Sequence, residues 1–192
     1  MKRKNISAIL KDGILIHSKC PELSDNQILK IDLLIETIWP EESTAGDSKT
    51  KIQSFHKQNK TAEVLLIESG DQLIGHTKIY PRTIFAGNKS IEVTALGGVC
   101  VLDEFRKYGL GKLMVKEVFK LIDNKEHPVC LFQTTIPGFY KKLGARIITN
   151  RFFNSKNLEQ PQKSPWHDPN IMIYPADTSW PEYDLDLNGP EF

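Results

Sequence analysis

Apolar and polar positions fall into blocks along the chain, and the blocks predict most of its elements. Ile14 to Ile16 is a short apolar run after Asp12-Gly13 and predicts a first strand. Ile28, Ile31, Ile35 and Ile38 recur at helical spacing. Ser24 stands before them with Gln27 three positions on, the pattern of a capping box, and Pro40 ends the helix. Residues 41–61 are polar and predict a loop plus a short helix around Ile52 and Phe55, where a substrate lid could sit. Three strands follow: Val64 to Ile67, Leu73 to Phe85 and Ser90 to Leu102. Gly70-Asp71 and Gly87-Asn88 turn between them, which gives a consecutive antiparallel meander. Pro81 suggests a bulge or an edge position, and Gly97-Gly98 interrupts the third strand near its end.

The period then changes. Gly109 to Asp123 predicts a helix with Leu110, Met114, Val118 and Leu121 on one face and Lys112, Lys116 and Lys120 on another. His127 to Thr134 predicts a strand, Pro137 to Leu143 a short helix closed by Gly144, and Ala145 to Phe153 another strand. A polar loop over 154–170 leads to a final strand, Ile171 to Tyr174, and then to an acidic tail containing aromatic residues. Strands and helices mixed in this order predict a single α+β (mixed α/β) domain over residues 1–192.

Composition adds partners to this picture. The formal net charge of +1 gives no footprint for a nucleic-acid binder. The near-zero sum hides an asymmetry, because the last basic residue is Lys163. Residues 1–163 carry +7 and residues 164–192 carry −6, the latter from Asp168, Asp177, Glu182, Asp184, Asp186 and Glu191. Cys20, Cys100 and Cys130 lack metal-type spacing and are odd in number, which fits a reducing cytoplasm and neither a disulfide framework nor a metal site. Met1-Lys-Arg-Lys is not followed by a signal-type apolar core, and no run approaches the roughly 20 residues that span a bilayer.

The residues with the clearest chemistry run from Val99 to Lys112, where a strand passes through a turn into a helix and glycines sit at the helix start. Glycines let the backbone approach a ligand, and the free N–H groups and positive dipole end of a helix suit a pyrophosphate. Arg106, Lys107 and Lys112 add charge beside it. Leu113 after Lys112 excludes a P-loop, and the glycine spacing excludes a Rossmann fingerprint.

Arg106-Lys-Tyr-Gly109-Leu-Gly111, followed by Thr135-Ile-Pro-Gly-Phe-Tyr140-Lys-Lys-Leu-Gly144-Ala, resembles the signature of the GCN5-related N-acetyltransferase (GNAT) superfamily. The resemblance covers roughly residues 62–150, taken as the core of the domain, and the N-terminal helix more loosely. It implies a central mixed, mostly antiparallel sheet, splayed between two parallel strands and flanked by helices. Acyl-CoA would lie in the gap between the strand ending Val99-Cys100-Val101 and the one ending Phe132-Gln133. The Val99 N–H matches the donor to the thioester carbonyl, and Val101 the position that pairs with pantetheine. The backbone from Lys107 through Tyr108, Gly109, Leu110 and Gly111 to Lys112 matches the pyrophosphate loop. Tyr140 matches the general acid that protonates the departing CoA thiolate.

The resemblance leaves the general base open. Related enzymes carry a Glu at positions that are here Ala95 or Gly97, and strand alternation puts Glu92 on the opposite face. The tail from Trp180 to Phe192 resembles the C-termini of nodulation acyltransferase A proteins and aminoglycoside 2′-N-acetyltransferases. Two readings follow: a solvated acidic tail, or one that docks through Trp180, Leu185, Leu187 and Phe192. In the second, the Phe192 carboxylate or an acid such as Asp168 takes the amine proton. His76 reads as a core or rim histidine, and His167-Asp168 as pocket-lining or turn residues alike.

The function expected is acetyl transfer from acetyl-CoA to a small-molecule primary amine, an amino sugar or aminoglycoside-like compound, without a metal, a nucleic acid or a membrane span. Transfer of a longer acyl chain to an amino sugar and a non-catalytic acyl-CoA sensor are the competing readings. The resemblance also allows a homodimer.

Overall fold

The computed structural model describes residues 13–40 and 45–192. The N-terminal basic run and the first four residues of the polar segment lie outside the described residues. The strands are β1 (Gly13–Lys19), β2 (Glu63–Ser69), β3 (Gln72–Ala86), β4 (Lys89–Val101), β5 (Cys130–Thr134), β6 (Arg146–Ile148), β7 (Phe152–Phe153), β8 (Asn170–Tyr174) and β9 (Leu185–Asp186). The helices are α1 (Asp25–Ile38), α2 (Ser48–Gln58), α3 (Leu110–Asp123) and α4 (Pro137–Lys141). The strands form one mixed sheet of nine, in the order β1-β2-β3-β4-β5-β8-β6, with β9 bridging β3 and β7. Most ladders are antiparallel, while β4–β5 and β7–β9 are parallel.

The described residues divide into two compact units. One holds the chain up to Tyr80 together with Gly98–Val115. Here the capping box at Ser24 forms in both directions and starts α1. Ile28, Ile31 and Leu34 of α1 pack with Val64, Leu66 and Cys100. A second cluster joins Ile67, Ile74 and Val101 to Leu110 and Met114 at the start of α3. Gly75 admits that contact: a Cβ there would lie 3.2 Å from the Met114 methyl carbon.

The other unit comprises Pro81–Gly97 and Lys116–Phe192. Its core contains Ile84, Val93, Leu131, Ile148, Phe152, Ile173, Leu185 and Leu187. The predicted strand Ala145–Phe153 is two strands, not one. Asn150 interrupts it, donating from Nδ2 to the carbonyls of Pro181 and Tyr183. The predicted strand His127–Thr134 begins as a strand only at Cys130, because Pro128 has no N–H to give a ladder. Ile171–Tyr174 is not the final strand. The tail adds β9, and Leu185 and Leu187 are fully buried. Each buried leucine contributes roughly 1.5–3 kcal/mol toward ordering that segment. The buried face of α3 ends on Ile122 rather than Leu121 and is widened by Val115 and Phe119, while Lys112, Lys116 and Lys120 are exposed as expected. Pro81 falls between the ladder to β2, whose last pair is Ile79–Glu63, and that to β9 at Phe85.

Candidate active site

In the first unit, β4 ends in a turn that is built to bend. Leu102 donates its N–H to the Ile74 carbonyl, and Asp103–Phe105 makes one 3-10 turn anchored by buried Phe105. Arg106 folds back on this turn. Its Nε donates to the Val101 carbonyl at 3.1 Å and its guanidinium pairs with Asp103 at 2.9 Å. The Arg106 side chain thus braces the loop. Lys107 (φ 70°) and Gly109 (φ 82°) both adopt the left-handed conformation. Such residues in a short turn direct successive N–H groups to one side and make an anion-binding concavity. At Gly109 the requirement is conformation and not space, since an added Cβ would meet nothing within 4 Å. Leu110 then starts α3, whose first N–H groups have no acceptor within the helix. Lys107 and Lys112 are exposed beside this turn, and Tyr108 is half-buried.

On β4 itself Val99 is half-buried, whereas Cys100 and Val101 are buried. The Cys100 side chain belongs to the cluster under α1, so it is a packing residue. Gly98 has φ 60°, the distortion expected of the glycine pair. His76 on β3 is 2% exposed, and its Nδ1 lies 2.9 Å from the Gly98 carbonyl oxygen. Burial holds its pKa down at about 4, with the Gly98 hydrogen bond opposing and Lys78 reinforcing the shift.

In the second unit, Tyr140 sits on α4, 6% exposed, with its ring 4.6 Å from that of Phe132 and 4.9 Å from that of Phe139. Burial pushes its phenol well above the usual range, and Cys130 and Asp168 add to the effect. Glu92 is exposed and accepts a hydrogen bond from Thr83 Oγ1 at 2.8 Å, while Ala95 is buried, so neither supplies a carboxylate to a site.

The tail folds back onto β4 and β5. Gln133 is its hub: Oε1 accepts from the N–H groups of His167 (2.9 Å) and Asp168 (2.7 Å). Its Nε2 donates to Glu191 Oε2 (2.9 Å) and to the Phe192 main-chain oxygen (3.5 Å). The Gln133 side-chain amide thus bonds to the tail on both its oxygen and its nitrogen. Arg82 grips the other side, donating to the Leu187 and Pro190 carbonyls at 3.2 and 2.9 Å, with its guanidinium 5.7 Å from the Phe192 ring. Trp166 meets that ring edge-on at 4.9 Å. The Phe192 carboxyl carbon ends 3.3 Å from where a Cβ on Gly97 would be. Arg82 and Trp166 were not among the predicted site residues, since an Arg in a strand and a Trp in a polar loop carry no signal without the register that unites them.

A family model described as "Acetyltransferase (GNAT) domain" matches residues 23–148. A candidate acetyltransferase of Bacillus subtilis (strain 168) is 31% identical over 85 residues, which are 40% of this chain and 56% of that protein. A second protein of that strain, uncharacterised, is 42% identical over 28% of this chain and 38% of its own length, so the chain spans about half or less of the curated relatives it matches. Among solved structures, the GNAT family N-acetyltransferase YhbS from Escherichia coli, in complex with CoA, superposes with a TM-score of 0.61 at 12% identity. That match covers 92% of this chain and 89% of YhbS. A GNAT family acetyltransferase from Brucella melitensis, in complex with acetyl-CoA, gives 0.56 at 16% identity over 90% of this chain and 95% of its own. Among the described residues no helix is long and apolar enough to cross a membrane.

Proposed function

The chain belongs to the GNAT acetyltransferase family, and from that premise we propose that it is an acetyl-CoA-dependent N-acetyltransferase acting on a small primary amine. The observation that carries the reading is the left-handed turn at Lys107 and Gly109, which opens the N-terminus of α3 directly after β4. Such a turn suits the pyrophosphate of CoA. CoA and acetyl-CoA are the ligands of the Escherichia coli and Brucella melitensis neighbours. Val101 would pair with pantetheine through its backbone, as an added strand does.

The chemistry is direct transfer. A neutral amine attacks the thioester carbonyl, and the Val99 N–H stabilises the oxyanion that forms. Collapse expels the CoA thiolate, and Tyr140, protonated at neutral pH, donates to it. The proton lost by the amine goes to the Phe192 carboxylate. The family resemblance would place a base at position 97, where this chain has Gly, and the Phe192 carboxyl carbon lies 3.3 Å from the Cβ that a side chain there would have. Asp168 is the alternative acceptor, anchored through its own N–H to Gln133.

The amine would be an amino sugar or aminoglycoside-like compound, drawn by the Phe192 carboxylate. The three cysteines are free and buried, in keeping with a cytoplasmic setting. The experiment is transfer of an isotope-labelled acetyl group from acetyl-CoA to a set of amino sugars and aminoglycosides, run beside a long-chain acyl-CoA. Labelled acetylated amine supports the reading. Product from the long-chain donor alone would favour the fatty-acyl alternative, and CoA binding without product a sensor.

A further inference from the structure

His76 is buried in the strand next to the proposed oxyanion donor, and its hydrogen bonding is one-sided. A carbonyl oxygen only accepts, so the contact with Gly98 requires the proton on Nδ1. The Nε2 atom then carries a bare lone pair, and it has no hydrogen-bond partner among the described residues. An unpaired buried nitrogen lowers stability, a cost that an apolar side chain opposite Leu66 would avoid.

The Gly98 carbonyl belongs to the same planar peptide as the Val99 N–H. In a trans peptide these two groups point in opposite directions. Holding the carbonyl toward β3 therefore holds the N–H away from β3. The strand phase agrees: Leu102 gives its N–H to Ile74 of β3, so alternation turns the N–H groups of Val101 and Val99 the other way. The left-handed Gly98 frees this peptide from regular strand geometry, and some other group must then set its plane. The imidazole also fills the space beside Gly98, where an added Cβ would come within 3.1 Å of its Cε1.

We propose that His76 is a positioning residue, which fixes the Gly98–Val99 peptide plane and so aims the Val99 N–H at the thioester oxygen. The proposal rests on the oxyanion role given to Val99 above. A hydrogen bond on the carbonyl also polarises the peptide and makes its N–H a stronger donor.

Two substitutions test it. In His76→Asn the amide nitrogen replaces Nδ1 at the same distance along the side chain, whereas His76→Leu keeps bulk and removes the donor. The readouts are the Gly98 carbonyl ¹³C and Val99 ¹⁵N–¹H resonances, together with kcat and KM for acetyl-CoA. In His76→Leu the two resonances move, and kcat falls about tenfold at unchanged KM, the scale of a slightly misaimed group. His76→Asn recovers most of both. Resonances that stay put in His76→Leu overturn the proposal whether or not the protein turns over, and resonances that move without loss of kcat overturn it too. A wild-type protein that acetylates no amine would sink the enzymatic reading instead, and the resonances alone then decide whether His76 holds the peptide.

Discussion

The carboxyl carbon of Phe192 lies 3.3 Å from the point where a Cβ on Gly97 would stand. A glycine on β4 and a residue 95 positions later are thus neighbours. The proposed mechanism uses that closeness to place the Phe192 carboxylate where the strand carries none.

Removing Glu191 and Phe192 is expected to lower kcat at least tenfold while leaving acetyl-CoA affinity unchanged, as expected for loss of a general base. Steady-state kinetics with the acceptor amine, beside a CoA titration, checks this. Unchanged turnover would remove the tail from the chemistry.

The same relationship predicts a compensation. In the full chain, Gly97→Glu would press on Phe192 and set two carboxylates side by side, lowering activity further. In the chain lacking Glu191 and Phe192, the new Glu has room, and part of kcat should return. Comparing the two backgrounds measures the coupling. Equal effects in both would mean that Gly97 and Phe192 act independently.

Arg82→Ala should release the tail, because two carbonyls and the Phe192 ring lose their partner. A loss of about 1–3 kcal/mol is expected, with faster amide exchange over 187–192. Lysine would not restore it, lacking the planar fork. Protection factors over 187–192 that match the wild type would contradict this anchoring role.

The buried His76 gives stability a pH dependence. Its folded pKa of about 4 lies below the unfolded value of about 6.5, so the unfolded chain binds more protons between those values. Stability is full above pH about 6.5 and falls as pH drops toward 4, by on the order of 3 kcal/mol. His76→Leu should flatten this part of the curve in urea titrations. Parallel curves for the two proteins would rule His76 out as the source.

Sequence periodicity made the first half of the fold legible. The Ser24 capping box, the isoleucine stripe of α1 and the three-strand meander are local features, written in neighbouring residues. The turn before α3 was legible too, since Gly109 marks a conformation that glycine favours. What the pattern left open depends on contacts far apart in sequence. The interruption at Asn150 reflects carbonyls of Pro181 and Tyr183, and β9 exists because Leu185 and Leu187 find a core with Ile84 and Phe152. Several of the acids that give residues 164–192 their negative charge have internal partners: Asp184 pairs with Arg151, Asp186 accepts from Ser155, and Glu191 accepts from Gln133 and His167. Charge counting registers sign and position, but not these pairings.

The central claim is enzymatic, and the release of free CoA thiol reports on it most directly. Thiol release from acetyl-CoA, followed across a panel of primary amines for the wild type and Tyr140→Phe, should show amine-dependent turnover. The substitution should slow it about 100-fold, the lower end of the range for general acid–base catalysis, with little change in acetyl-CoA affinity. Tight CoA binding with no thiol release from any amine would contradict the account.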